Sequence, residues 1–197
     1  MTDDTLVKRA ADGDEAAFLL LYERHRDVVL RFAYRFLGST EAAEDVTHDA
    51  FLRILQDPRK FDPARASFRT YICAVARHVA LTRLRHTTSN RQNADDVGDR
   101  RDRTAPGGGP LTNLIDQERA RAVRRAILEL PVSQREVVVL FEYEELSLAE
   151  VAAVVGAGVG AVKARLHRAR ERLRNRLAPY FTHRAEATPT RKTRHDD

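Results

Sequence analysis

A run of cations near the end of the printed sequence has the clearest chemistry in this chain. Between Ala161 and Leu177 seven lysines and arginines accompany a single acid, Glu171. The cations are Lys163, Arg165, Arg168, Arg170, Arg172, Arg174 and Arg176. A solvated helix normally mixes both signs, because opposite charges four residues apart attract each other. Like charges repel, and phosphate binding offsets that repulsion, so the run indicates contact with DNA.

The residues around this run predict a helix-turn-helix that positions the cations. The segment "SLAE" from Ser147 to Glu150 has the form of a capping box, which begins a short helix ending at Val155. A "GAG" turn at 156–158 follows, and then a longer helix. Its apolar residues recur every three or four positions, at Val159, Val162, Leu166, Ala169, Leu173 and Leu177. We expect this stripe to pack inward, which leaves the cations on the outer faces.

Two other interpretations of the cationic helix stay open. It could be a surface helix with biased charge that binds nothing. It could also lie on an anionic membrane, although its stripe has no Trp or Phe anchor and is needed for its own domain. The longest weakly polar run, "VAAVVGAGVGAV", is broken by glycine and is shorter than the roughly 20 residues of a spanning helix. We therefore expect no membrane insertion.

The segment before the helix-turn-helix also predicts helices. Residues 117–130 have helical periodicity, and Pro131 stops that helix. A second capping box is predicted at "SQRE", Ser133 to Glu136. The β-branched run "VVVLFEY" that follows is compatible with a buried strand, but the cap before it and the lack of a partner strand favour a helix.

The first half of the sequence contains three amphipathic stripes at helical spacing. They cover residues 14–37, 43–55 and 68–84, and the first is predicted to be capped by Asp12 with Glu15 as its reciprocal partner. Two Asp-Pro pairs in "QDPRKFDPARAS" separate the second stripe from the third. Because the residue before proline disfavours a helix, this segment is predicted to be a loop.

The pattern predicts an all-α fold of two small helical domains joined by a flexible linker, with the helix-turn-helix in the second domain. The linker, 89–113, has few large apolar residues, mixes charges and contains "APGGGP". The predicted domains cover 1–88 and 114–178, and the tail, 179–197, is predicted to be disordered because it lacks periodicity.

Composition argues against an enzyme. The seven histidines lack metal-ligand spacing, and no Gly-rich phosphate loop follows a strand, so we expect no catalytic residue, metal or cofactor. The only cysteine, Cys73, excludes an internal disulfide and is expected in the core. The net charge of +5 is compatible with a polyanionic partner. The start "MTDDTLVKRA" lacks the apolar core of a signal peptide, so a cytoplasmic location is expected.

Both halves together resemble the extracytoplasmic-function sigma factors of bacterial RNA polymerase. "AEDVTHDAFLRIL" at 43–55 is similar to the helix with which that family binds the β′ clamp, and "SFRTYICAVARHVALTRLR" at 67–85 is similar to its minus-ten segment. The stretch 130–174, from "LPVSQRE" to "RARERLR", is similar to its minus-thirty-five module. A helix-turn-helix alone is weakly specific, whereas both segments in this order are strongly specific.

The resemblance implies three sets of site residues. For polymerase binding they are Asp45, His48, Asp49, Leu52 and Arg53. For the melted downstream element they are Phe61, Arg65, Ser67, Phe68, Arg69, Arg77, His78, Arg83 and Arg85, although Phe68 and Tyr71 are expected in the core. For the upstream element, Lys163, His167 and Arg168 are implied in the major groove, and Arg135, Arg165 and Arg170 at phosphates.

The resemblance thus implies a sigma factor that binds the β′ clamp and β flap of core RNA polymerase, directs it to promoter DNA and aids promoter opening. It also implies an anti-sigma partner, which no residue identifies. The residues leave open a stand-alone helix-turn-helix regulator of duplex DNA. Five positions depart from the family pattern and leave the promoter preference open: Tyr71, Thr82, Glu145, Ala161 and Ala164.

Overall fold

The computed structural model describes residues 1–91 and 110–181, which we name the first half and the second half. Within these residues the chain forms helices and no strand, which confirms the all-α prediction. The first half contains α1 (Asp3–Ala11), α2 (Glu15–Leu37), α3 (Thr40–Gln56), a 3₁₀ turn (Pro58–Lys60) and α4 (Phe68–Arg91). The second half contains α5 (Pro110–Leu128), α6 (Val132–Val138), a π-helical turn (Val139–Tyr143), α7 (Leu148–Val155) and α8 (Val159–Phe181).

Two predicted helix caps are wrong. The cap of α2 is Asp14, whose carboxylate accepts the Ala17 N–H at 3.1 Å, whereas Asp12 ends the preceding helix. Helix α6 begins directly after Pro131, which has extended backbone angles, so Ser133 lies inside the helix and caps nothing. Proline sets its own φ and needs no side-chain cap to begin a helix.

The capping box at the start of α7 is confirmed. The Ser147 hydroxyl accepts the Glu150 N–H at 3.3 Å, and the Glu150 carboxylate accepts the Ser147 N–H at 2.9 Å. Helix α1 was not predicted, although Thr2 caps it and its apolar residues are buried. "VVVLFEY" is helical as expected, with the unpredicted π turn inside it.

Helix α2 is the centre of the first half and packs against α1, α3 and α4. The rings of Phe32 and Phe36 on α2 are fully buried, and Tyr22 contacts Phe51 of α3 edge to face at 4.8 Å between centroids. Cys73 is fully buried in α4, as expected. Burial of these large side chains stabilises the fold by about 1.5 to 3 kcal/mol each.

In the second half, α5, α6 and α7 pack around α8. Three residues of the predicted α8 stripe, Val162, Leu166 and Ala169, are buried against them, whereas Val159 is 39% exposed. The two halves are themselves in contact, because α7 packs on α4 and α5 packs on α2. The apolar face of α8 is therefore covered by other helices of the same protein.

The helices extend beyond the predicted boundaries. Helix α4 includes residues 89–91, and α5 includes 110–113, which the prediction placed in the linker. Helix α8 similarly includes 179–181 of the predicted tail. The rest of the predicted linker and tail lies outside the described residues. No helix in the described part of the chain is long and apolar enough to cross a membrane.

Glu145 has an unusual backbone conformation in the turn between the π-helical segment and α7. Its φ of 53° lies in the left-handed region, which non-glycine residues adopt at a cost of about 1 to 3 kcal/mol. The turn allows Leu146 N–H to reach the Leu140 carbonyl at 3.1 Å. The strain at Glu145 thus accompanies the change of direction into the helix-turn-helix.

We predict that Glu145→Gly stabilises the protein by about 1 kcal/mol. Glycine adopts this φ without strain, and the greater conformational entropy that it gives the unfolded chain offsets only part of the strain relieved. Urea unfolding followed by circular dichroism measures the change. Glu145→Ala is the control, since it removes the same side chain and keeps the strain. Equal stability of the two variants would contradict the backbone explanation.

Candidate nucleic-acid interface

The outer face of α8 presents the residues predicted for the major groove. Lys163, His167 and Arg168 are all exposed, and the His167 side chain keeps 74% of its surface accessible. The buried stripe on the opposite face fixes this orientation. Gly156, with φ of 66°, ends α7 in the left-handed conformation and turns the chain into α8. The arrangement has the geometry of a recognition helix.

Two of the arginines predicted at phosphates already have carboxylate partners in the chain. Arg170 donates to Glu142 through Nε at 2.9 Å and Nη2 at 2.6 Å, and its guanidinium lies 5.6 Å from the centre of the Phe141 ring. Arg165 lies 3.4 Å from a carboxylate oxygen of Glu136. Both arginines therefore hold α8 against α6 and the π turn.

Arg135, the third arginine predicted at a phosphate, lies between the two halves of the protein. It is half-buried and donates to three backbone carbonyls, those of Phe36 at 2.8 Å, Leu130 at 3.1 Å and Leu128. These carbonyls lie at the ends of α2 and α5, where helices leave acceptors without partners. Burial lowers the pKa of Arg135. In this conformation Arg135 joins the two halves instead of facing solvent.

The aromatic residues predicted for the downstream element are buried. Phe61 is 7% exposed and Phe68 is 2% exposed, with their rings edge to face at 5.4 Å between centroids. Phe68 lies in the core as expected, whereas Tyr71, which was also expected there, is only half-buried at the edge of this pair of rings. In this conformation neither phenylalanine can stack on a base, because each ring packs against the other inside the first half.

Four of the polar residues predicted for the downstream element are exposed: Arg65, Ser67, His78 and Arg85. The Ser67 hydroxyl also accepts the Thr70 N–H at 3.2 Å and so begins α4. Arg65 also lines a cavity of about 230 Å³, together with Lys60, Phe61 and Tyr71 and, from α7, Ala153 and Val154.

The other three arginines of the downstream set are engaged in the protein. Arg69 donates to the Glu144 carbonyl at 2.7 Å, and Arg77 donates to the Glu136 carboxylate at 2.8 Å. Both partners belong to the second half. Arg83 instead contacts two carboxylates of α3 at 2.6 and 2.7 Å. These hydrogen bonds raise the pKa of Arg83 above its ordinary value.

Helix α3 presents the residues predicted for polymerase. Asp45, His48 and Arg53 are exposed, and Asp49 is half-buried beside Arg83. Leu52, which belongs to the same set, is 39% exposed. An apolar side chain in solvent among charges is suited to a protein interface, whose centre is apolar and whose rim is polar.

Comparison with known proteins matches a family to each half of the chain. Residues 21–90 match the Sigma-70 region 2 family, and residues 120–173 match the Sigma-70 region 4 family. The ECF RNA polymerase sigma factor SigW of Bacillus subtilis is 31% identical over 177 residues, which cover 87% of this chain and 94% of SigW. The chain belongs to the ECF sigma factors.

Two further relatives extend this result. The ECF RNA polymerase sigma-E factor of Escherichia coli strain K12 is 30% identical over 91% of this chain and 96% of its own length. The solved structure of CnrH in complex with the cytosolic domain of CnrY matches with a TM-score of 0.68 and 27% identity, over 91% of this chain and 99% of CnrH. The promoter-directing function expected of an ECF sigma factor is therefore supported, and a stand-alone regulator is not.

Sequence reasoning missed the acids that accompany the arginines of this sigma factor. Glu136, Glu142 and Glu144 contact six arginines between them, and none was predicted as a site residue. A signal was present, since these acids and Glu145 lie close together shortly before the cationic run.

In the part of the chain that the structure describes, no three acids, histidines or cysteines form a metal-binding group.

We predict that Arg135→Ala lowers the free energy of unfolding by about 2 kcal/mol, because carbonyls at two helix ends lose a charged donor. Thermal and urea unfolding measure the loss. Arg168→Ala is the matched control and is expected to stay within about 0.5 kcal/mol, since Arg168 is exposed. Unchanged stability of the Arg135 variant would favour the phosphate role that its sequence position implied.

Proposed function

We propose that this ECF sigma factor binds core RNA polymerase through α3 and brings it to promoters through two DNA surfaces. It acts by binding and positioning, without catalysis of its own, and it works in the cytoplasm. The observation that carries the proposal is the outer face of α8, where Lys163, His167 and Arg168 stand exposed over a buried apolar stripe. Arginine or lysine paired with guanine discriminates by about 1 to 3 kcal/mol.

The second DNA surface is the start of α4 and the loop before it. The exposed Arg65 and Lys60 lie at the rim of the cavity beside Tyr71. A cationic rim with an aromatic wall suits an unpaired strand, since bases stack on aromatic rings at about 1 to 3 kcal/mol each. We assign the melted downstream element to this surface, with Arg69 and Arg77 joining once they are released from the second half.

Partner proteins complete the proposal. The β′ clamp is assigned to the charged face of α3 around Leu52, and the β flap to the second half. A protein partner comparable to the CnrY domain bound by CnrH is proposed as an inhibitor, with no residue assigned to it.

Reconstituted transcription tests the function as a whole. Purified protein is added to sigma-free polymerase with a panel of genomic fragments from its own host, and start sites are mapped. Initiation at a defined subset of fragments is expected. Tight sequence-specific binding of duplex DNA without polymerase, and no start-site selection with it, would refute the proposal.

We predict that Arg168→Ala removes discrimination at the upstream element. On a promoter found by start-site mapping, the variant is expected to initiate about tenfold or more less often than the parent protein. On the same promoter with a scrambled upstream element, the variant and the parent protein are expected to initiate almost equally. Arg174→Ala is the control, because Arg174 is another exposed cation of α8 outside the proposed groove set. Equal losses on both templates would indicate a phosphate contact for Arg168 instead of a base contact.

We predict that Leu52→Glu weakens the complex with core polymerase at least tenfold, because it places a charge at the apolar centre of the proposed clamp contact. Fluorescence titration of labelled protein with core enzyme measures the affinity. Leu20→Glu is the matched control, since Leu20 of α2 is also 39% exposed but lies outside the proposed contact. If both variants bind equally well, α3 does not carry the contact.

A further inference from the structure

Helix α1 lies outside residues 21–90, which match the Sigma-70 region 2 family. It nevertheless packs against two parts of the first half, namely α2 and the 3₁₀ turn at 58–60. Leu6 of α1 is fully buried and Val7 is 5% exposed, so the apolar face of α1 belongs to the core. The 3₁₀ turn leads directly into Phe61 and the loop before α4. Helix α1 therefore supports the start of that loop.

A buried histidine joins the first residue of α1 to the other end of the same loop. His25 of α2 is 8% exposed, and its Nε2 lies 2.8 Å from Asp3 Oδ2. Because an ionised carboxylate only accepts hydrogen bonds, Nε2 is the ring nitrogen that carries hydrogen toward Asp3. The His25 ring meets the Phe68 ring edge to face, at 5.0 Å between centroids. Since Phe68 is the first residue of α4, the histidine contacts both α1 and α4.

The carboxylate of Asp3 also binds a second residue of α2. Its Oδ1 accepts from Arg24 Nη1 at 2.9 Å, and the same Nη1 donates to the Met1 carbonyl at 3.0 Å. By contrast, Asp4, the next acid in the first turn of α1, is exposed to solvent. Asp3 is thus the acid that attaches the start of α1 to α2.

The aromatic contacts continue from Phe68 to the surface proposed for the unpaired strand. The Phe68 and Phe61 rings are edge to face at 5.4 Å, and the Phe61 ring lies 5.5 Å from the Tyr71 ring. Tyr71, Lys60 and Arg65 line the cavity at that surface. Because closely packed side chains transmit strain to their neighbours, a movement of α1 reaches the aromatic wall of the cavity.

We propose that α1 is a positioning element for promoter opening: the contact between Asp3 and His25 holds the loop that presents Lys60, Arg65 and Tyr71 to the unpaired strand. This inference rests on the proposed function, since it concerns the surface assigned there to the downstream element. Asp3 and His25 do not touch DNA and act through the loop. A loop already held in its binding conformation binds more tightly, because it loses less conformational entropy on binding.

Fluorescence of a single tryptophan tests whether α1 holds the loop. The sequence contains no Trp, so Tyr71→Trp reports from the aromatic wall alone. In that background Asp3→Ala is expected to move the emission maximum to longer wavelength and to increase quenching by acrylamide, because a looser loop admits water. Asp4→Ala is the matched control, since it removes the same charge from the same turn at an exposed position. Circular dichroism checks that the helix content is unchanged.

Strand binding by the complete holoenzyme provides the functional measurement, with Tyr71 intact. The probe is a promoter fragment found by start-site mapping, in which mismatches keep the downstream element unpaired. Asp3→Ala is expected to bind this fragment about fivefold more weakly than Asp4→Ala does, which corresponds to a loop in its binding conformation about one fifth of the time. Affinities for core polymerase and for a paired upstream fragment are expected to stay within about twofold, since these contacts are assigned to α3 and α8.

His25→Phe separates the hydrogen bond from the ring contact. Phenylalanine keeps an aromatic ring against Phe68 but donates nothing to Asp3, whose carboxylate still accepts from Arg24. We expect about the same fivefold loss of strand affinity as with Asp3→Ala. Combining the two changes is expected to cause no further loss, because both remove the same contact.

Three results would overturn the inference. Equal emission and equal strand affinity of Asp3→Ala and Asp4→Ala would show that α1 does not hold the loop. A parallel loss of strand affinity and core affinity would show that α1 only stabilises the fold, and additive losses from Asp3→Ala and His25→Phe would show that the two residues do not act through their contact.

Two further comparisons keep the inference distinct from folding and from the proposed function. If Asp3→Ala does not fold, His25→Phe is judged by the same criteria, since it leaves no buried donor without a partner. Failure of the parent protein to select start sites would refute the proposed function. Normal selection by the parent protein, with no difference between the Asp3 and Asp4 variants, would refute the positioning role alone.

Discussion

Repulsion among arginines is the constraint on which this structure depends. The chain has 34 lysines and arginines, and its last described helix concentrates seven of them beside one acid. A helix of this charge is held in place only if its apolar face is buried and some of its cations find acids elsewhere. Glu136, Glu142 and Glu129 supply these acids for Arg165, Arg170 and Arg176, whereas Lys163 and Arg168 are exposed. The same acids that stabilise the fold thereby engage part of the cationic surface that we propose for DNA.

The helices of the fold followed from their sequence patterns, whereas the contacts between elements did not. Apolar spacing placed α2, α3, α4 and α8, because burying a stripe determines which face turns inward, and the capping box at Ser147 placed α7. Helix α1 was not predicted, although Asp3 and Asp4 in its first turn favour the start of a helix. The predicted cap at Ser133 is wrong because Pro131 begins α6 without a side-chain cap. The position of Arg135 could not be foreseen, since its acceptors come from helices far apart in sequence.

The candidate site shows the same difference between local patterns, which the sequence predicts, and contacts between elements, which it does not. Exposure of Lys163, His167 and Arg168 followed directly from the stripe on the opposite face of one helix, which is local information. Burial of Phe61 depended on a contact with Phe68 across the loop, and the pairing of Arg77 depended on Glu136 from the other half. Long-range partners of this kind depend on tertiary packing, and the residue types alone do not determine them.

The two surfaces that we propose for DNA differ in exposure, because the outer face of α8 lies in solvent whereas α7 forms one wall of the cavity beside α4. Duplex DNA presents phosphates and base edges without melting, so an exposed α8 can meet it at any time. An unpaired strand exists only after the promoter opens, which polymerase makes possible. In the described structure Arg69 and Arg77 of α4 bind the second half, so the surface proposed for the unpaired strand is less accessible than the outer face of α8.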